Sequence, residues 1–239
     1  VNPDAAAWYS RFSCAYRHDK GAEGNRKMTM TLPELEESVE GRVVRFAPRP
    51  ITFAQFLEMG RPKEWVELVG GVLEEKPVVQ LDHELTEGWL YQVMGTYAQH
   101  RGLGKVFHSR FPVQINAFGG RLPDLMFVRQ EQMHLVEQKA VFGIPDLVIE
   151  VVSPNDRPSA LRTLEADYCT LGVPEILFVN TRKPEIRILR KRSDEYSETS
   201  VTSGPLTFET VPGLTLQAEW ILHEPRPDVY DTLTALLSS

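Results

Sequence analysis

Only two cysteines, Cys14 and Cys169, occur in the 239 residues, and they stand in no metal-ligand spacing. That excludes a disulfide scaffold, a zinc ribbon and dithiol redox chemistry, so both read as thiols. No apolar run approaches the roughly 18 residues that span a bilayer, and the first residues lack the basic-then-apolar layout of a secretory signal; a cytoplasmic protein is expected. An excess of positive charge is also missing. The formal net charge of -7 argues against broad attraction to nucleic acid and leaves only local basic patches for that purpose. With 42% hydrophobic and 25% charged residues and no low-complexity tract, what remains is an ordinary globular composition, long enough for a sizeable core.

Residues 1–27 are polar and without period and read as a mobile extension; Met28 and Met30 follow at once and offer alternative start codons. Residues 28–50 read as a linker or arm, 51–222 as the main domain and 223–239 as a tail with a helix around Val229 to Leu237. A short helix over Ile51–Met59 is capped by Thr52. Trp65 to Lys76 reads as a hairpin around Gly70-Gly71. Leu81–His100 has helical spacing at Leu85, Trp89, Tyr91, Val93, Met94 and Tyr97, with Asp82 as its N-cap. Lys105–Ile115 and the strand after Asp124 are expected to pair antiparallel across a turn at Gly119-Gly120. A helix from Asp156 to Leu171, then a strand Glu175–Asn180, predict a parallel crossover. Glu185–Arg190 alternates like an edge strand, with further strands over Tyr196–Val201 and Leu206–Val211.

The stretch Pro145-Asp146-Leu147-Val148-Ile149-Glu150-Val151-Val152-Ser153-Pro154 carries the chemistry. Its apolar residues predict a strand buried on both faces. Alternation puts Asp146, Val148, Glu150 and Val152 on one face. A buried carboxylate requires a partner: a structural ion pair answers for Glu150, and so does a metal or a bound proton. Arg121-Leu122-Pro123-Asp124, followed by Leu125-Met126-Phe127-Val128, repeats the Pro-Asp-then-strand arrangement. If the two strands are neighbours, Asp124 and Glu150 meet at one sheet end and form a site for Mg²⁺ or Mn²⁺. The basic run Arg182, Lys183, Arg187, Arg190, Lys191 and Arg192 reads either as a track for a phosphate backbone or as a solvated hairpin with gatekeeping charges.

From about Thr52 to Leu222 the chain resembles the Uma-type family of bacterial restriction-endonuclease-like proteins, within the PD-(D/E)XK nuclease superfamily. The resemblance rests on several stretches together: Val66-Glu67-Leu68-Val69-Gly70-Gly71, Arg121-Leu122-Pro123-Asp124, the Asp146–Pro154 strand, Tyr168 with Leu171-Gly172-Val173-Pro174-Glu175, and Val211-Pro212-Gly213-Leu214. It implies an α/β restriction-endonuclease-like core, a mixed sheet flanked by helices with extra hairpins, and Mg²⁺- or Mn²⁺-dependent hydrolysis of DNA by homodimers. Asp124 and Glu150 match the family's metal ligands. Glu67 matches an acidic position that completes the metal shell or else sits exposed in a hairpin, and Asp146 either supports the ligands through hydrogen bonds or caps the start of its strand. His83 matches a position where the family often has histidine, and Glu175 is expected to be a structural hydrogen-bonding residue. The lysine of the superfamily falls on Val152, and its alternative place on the following helix falls on Leu164. Arg157 and Arg162 lie nearest on that helix, but a guanidinium is no base near neutral pH. Two functions follow: a metal-dependent DNA endonuclease, or a catalytically impaired nuclease-fold protein acting as a DNA-binding or protein-interaction module.

Overall fold

The computed structural model describes residues 36–39, 42–45, 49–59, 66–76, 78–108, 110–154 and 156–238. The expectations for the 1–27 extension, for Met28 and Met30, for Cys14 and for Trp65 lie outside these residues. Two short strands come first, β1 (Glu36–Val39) and β2 (Arg42–Arg45). Helix α1 (Phe53–Glu58) starts at Thr52, whose hydroxyl accepts from the Gln55 N–H while the Gln55 side chain returns the bond to the Thr52 N–H. The hairpin of β3 (Val66–Val69) and β4 (Val72–Glu75) turns on Gly70 and Gly71, whose φ angles of 57° and 83° are those a two-residue primed turn demands. That turn fixes the register, with Val69 opposite Val72 and Glu67 opposite Glu74.

The long helix α2 (Leu81–His100) leads to β5 (Gly104–Phe107), β6 (Val113–Asn116), β7 (Gly119–Arg121) and β8 (Leu125–Arg129). A 3₁₀ turn over Gln130–Leu135 connects to β9 (Leu147–Val151), α3 (Pro158–Leu171) and β10 (Glu175–Asn180). Strands β11 (Glu185–Arg192), β12 (Glu195–Val201), β13 (Pro205–Thr207) and β14 (Thr215–Gln217) follow, then helices α4 (Ala218–Leu222) and α5 (Val229–Ser238).

The central mixed sheet runs β12-β11-β10-β9-β8-β5, and its only parallel pair is β9 with β10, joined through α3 as the crossover predicted. Its central strands β8, β9 and β10 are buried on both faces. On one, Leu125, Phe127, Leu147 and Ile149 pack under α2 residues Trp89, Leu90, Val93 and Met94, with α5 joining through Leu233 and Leu236. On the other, Met126, Val128, Val148 and Phe178 meet Leu164 and Tyr168 of α3. A second sheet, β1-β2-β4-β3-β7-β6, carries the hairpin beside this layer.

Several expectations are corrected. The Lys105–Ile115 stretch breaks into β5 and β6 and serves two sheets: β5 pairs with β8, whereas β6 pairs with β7. Strand β11 is no edge, since β10 and β12 flank it; Ile186 and Ile188 face one core cluster and Leu189 the other, and only its end at Lys191 and Arg192 is exposed. The stretch Leu206–Val211 is strand only at its start, because Phe208, Val211 and Leu214 close a turn by backbone bonds. The α2 N-cap is Gln80 and Asp82 lies inside the first turn. Leu85, placed on the apolar stripe, is 47% exposed; buried His83, Thr86 and Glu87 take the inner face there. No helix among the described residues is long and apolar enough to cross a membrane.

Candidate active site

Strand β8 runs antiparallel to β9 with Leu125 opposite Ile149, so Asp124 stands opposite Glu150 one step beyond the last pair. Both side chains are buried, at 2% and 4% exposure. The scaffold holds one oxygen of each. Asp124 Oδ2 accepts from the Val151 N–H at 2.9 Å and lies 3.0 Å from His83 Nε2 on α2. Glu150 Oε1 accepts from the Tyr168 hydroxyl on α3 at 2.5 Å. Glu67 comes in from β3, also buried, with Oε2 accepting from Arg121 Nη1 at 2.8 Å and Oε1 from the Leu122 N–H at 3.0 Å. Arg121 is clamped from its other side by Asp167 at 2.6 Å.

The remaining oxygens of Asp124 and Glu150 and the Oε1 of Glu67 converge on one ammonium. Lys76, just past the end of β4, donates to the Leu122 carbonyl at 2.9 Å. Its Nζ lies 3.5 Å from Glu67 Oε1 and 3.8 Å from both Asp124 Oδ1 and Glu150 Oε2. Sequence reasoning found three of these four groups and missed the fourth. A search for lysine on the Glu150 strand and the following helix could not find it, because it comes from the hairpin. The signal was present. The Gly70-Gly71 register puts Glu67 opposite Glu74, and alternation then sends Lys76, two residues on, to the same face.

Electrostatics divide the groups. Burial works against a charge on Asp124, but the Lys76 ammonium, the His83 contact and the Val151 N–H outweigh it and hold the carboxyl at about 2. Burial pushes Glu150 well above the ordinary range, and the neighbouring charges of Asp124 and Glu67 add to that push against the pull of Lys76. Glu67 is lowered, since Lys76, Arg121 and the Leu122 N–H prevail over its desolvation. Lys76 is raised despite burial because three carboxylates face it. It is therefore a fixed positive charge near neutral pH and no base. The Tyr168 phenol is raised well above its usual value by burial and by Glu150, and stays a donor.

Other sequence candidates lie elsewhere. Asp146 shares a strand face with Glu150 but sits four residues away, about 13 Å along a strand. It accepts from the Arg129 N–H at 2.8 Å and from Arg129 Nε at 2.5 Å, so it fastens the far end of β9 to β8 and stands outside the cluster. Three arginines of the basic run are paired with carboxylates. Arg187 is bonded to Glu165 and Glu198, Arg190 to Glu175, and Arg192 in a fork to Glu209. Arg182 donates to Gln80, and the Arg182 and Lys183 N–H groups close the turn on Asn180, while the Lys191 N–H donates to Pro174. Glu175, 1% exposed, accepts from Arg190 and from Thr210 and has the structural part expected of it. Val152 and Leu164, the places without lysine, line the same cleft as Lys76.

A mixed sheet with carboxylates at the meeting end of two neighbouring strands is the framework of a nuclease fold. The comparison of structures agrees: a crystal structure described as a putative nuclease belonging to DUF820, from Anabaena variabilis, superposes with a TM-score of 0.60 at 15% identity, covering 78% of this chain and 99% of that one. No curated protein matches the sequence. The family Uma2, described as "Putative restriction endonuclease", matches residues 53–219, and the chain belongs to it.

Proposed function

We propose that the protein is a metal-dependent endonuclease that hydrolyses DNA phosphodiester bonds at the Asp124, Glu150 and Lys76 cluster. The observation that carries this is the convergence of three carboxylate oxygens, each from a group whose other contacts are fixed by the scaffold. An all-oxygen set of this kind suits Mg²⁺ or Mn²⁺, which takes a few carboxylates and completes its shell with water and substrate phosphate. Asp124 Oδ1 and Glu150 Oε2 would hold the ion, and Glu67 Oε1 would back them.

The charge of the cleft points the same way. Glu67, Glu74, Glu75, Asp124, Glu150 and Asp156 line it, against Lys76, Arg110 and Arg121 as its fixed cations. A phosphodiester is repelled by such a cleft unless cations are added. Held by Asp124 and Glu150, a divalent ion would supply that charge and would lower the pKa of bound water toward neutrality. Lys76 then faces the negative charge that builds on the phosphoryl oxygens, held in place by the Leu122 carbonyl. Arg121 takes no such part, since Glu67 and Asp167 hold it in the wall. His83 and Tyr168 orient the two metal ligands by keeping one oxygen of each turned away from the cleft.

The test is cleavage of supercoiled, linear and single-stranded DNA in Mg²⁺ or Mn²⁺. Cutting that EDTA stops and that Asp124→Asn and Glu150→Gln each abolish is expected. Cutting that survives both substitutions, or absence of cutting on every DNA form and on RNA, rejects the reading.

One observation favours a second reading. The Lys76 ammonium already lies within 3.8 Å of an oxygen of all three carboxylates and Arg121 pairs with Glu67, so the cluster can stand as an ion network without a metal in a protein that binds DNA or another protein without cutting. Calorimetric titration separates the two: a network of that kind takes up no Mn²⁺, whereas the nuclease site does.

A further inference from the structure

We propose a second divalent-cation site on the first turns of α2, formed by His83 Nδ1, Glu84 and Glu87 and suited to an ion that accepts nitrogen, such as Zn²⁺ or Co²⁺. His83 is 5% exposed and its ring is used on one side only. Nε2 faces Asp124 Oδ2 at 3.0 Å. A carboxylate offers no proton, so in the neutral ring the contact places the proton on Nε2 and leaves Nδ1 its lone pair, for which a metal ion competes with a second proton. That buried atom has no hydrogen-bond partner among the described residues.

Glu87 Oε2 lies 3.7 Å from it. This is too long for a hydrogen bond. Two atoms each about 2.1 Å from one tetrahedral ion, however, stand roughly 3.4 Å apart. Positions 83 and 87 are one helical turn apart and share a face. Glu84 supplies a third ligand: the three ligand atoms all lie within 4.8 Å of one another. Glu87 is 9% exposed and Glu84 is exposed, so the site is open to solvent on one side, and remaining coordination positions fall to water. Zn²⁺ and Co²⁺ suit a set with an imidazole nitrogen better than Mg²⁺ does.

The site stands apart from the Lys76 cluster and touches it through one ring. A metal on Nδ1, with Nε2–H donated to a carboxylate, is the arrangement in which the second contact fixes the tautomer and the ring's orientation. Occupancy would therefore hold His83 as the donor that positions Asp124. That link rests on the nuclease reading; the cation site does not.

The test uses Co²⁺ and the full chain carrying Glu150→Gln, which disables the proposed all-oxygen site and leaves the Asp124 carboxylate against His83. One Co²⁺ per chain with a visible spectrum of imidazole ligation is expected, its affinity falling at least about tenfold on adding Glu84→Gln or Glu87→Gln. Glu84 is exposed, so that variant folds whatever its effect on metal. In ¹⁵N-histidine spectra Zn²⁺ should move the His83 Nδ1 resonance to the metal-bound range. No uptake of Co²⁺, uptake indifferent to both glutamate substitutions, or a His83 ring protonated on both nitrogens and unmoved by Zn²⁺ overturns the proposal. Absence of DNA cleavage by the unsubstituted chain, with Co²⁺ binding intact, would count against the nuclease reading alone.

Discussion

At the scale of the residue, the cluster is a balance of buried charge. Three carboxylates with little exposure depend on Lys76, and Glu67 depends also on Arg121. Removing one partner of a buried ion pair costs about 3–5 kcal/mol, because the other charge is left without compensation. Lys76→Met is therefore expected to lower the denaturation midpoint, and Mn²⁺ to restore most of it by binding the native state; differential scanning in EDTA and in Mn²⁺ reads both. The same substitution should slow cleavage on the order of 10²–10³-fold, the usual loss when a fixed donor to developing charge is removed. Arg121→Met should destabilise by a similar few kcal/mol in urea titration without metal rescue, since Arg121 ties Glu67 to Asp167 in the wall. Asp124 and Glu150 were legible in sequence because a carboxylate in or beside an apolar strand is anomalous there, whereas Glu67 was marked only by the family resemblance. Lys76 was not, since lysine after two glutamates is ordinary on a surface; only the hairpin register makes it unusual.

At the scale of the element, the site is where a hairpin, two antiparallel strands and two helices meet. The Pro-Asp motif and the strand after it were readable as a pair because the pattern occurs twice. The antiparallel pairing of the Lys105 stretch with the Asp124 strand was readable, but the break into β5 and β6 was not, since the sequence from Lys105 to Ile115 has no marker for a change of sheet. Gly104 is the marker after the fact: a Cβ there would stand 2.2 Å from the Val128 carbonyl oxygen, at a φ of +146°. Gly104→Ala is expected to cost ~3 kcal/mol by forcing β5 off β8, measured by chemical denaturation, and to leave the Thr52 cap and α1 untouched. Helix α3 offers a test of the cation's role. Leu164 lines the same cleft as Lys76, so Leu164→Lys placed in the Lys76→Met background should recover part of the lost cleavage. No recovery, with the double variant folded, would show that the ammonium acts only from β4.

At the scale of the whole molecule, a net charge of -7 and an acidic cleft leave DNA affinity to bound cations. Arg187, Arg190 and Arg192 of the basic run are bonded to Glu165, Glu175, Glu198 and Glu209. Binding of a DNA duplex is expected to be weak in EDTA, to strengthen in Ca²⁺ and to fall steeply with salt, whereas Arg187→Ala with Arg192→Ala should change it little; fluorescence anisotropy measures each arm. The C-terminal helix α5, expected around Val229 to Leu237, packs on the same core as α2. The central claim is that Asp124 Oδ1 and Glu150 Oε2 are arranged to hold a divalent ion beside Lys76. Its most direct test is an anomalous difference map from crystals soaked in Mn²⁺. The account predicts a peak within ligand distance of both oxygens; a map with no peak between Asp124 and Glu150 would contradict it.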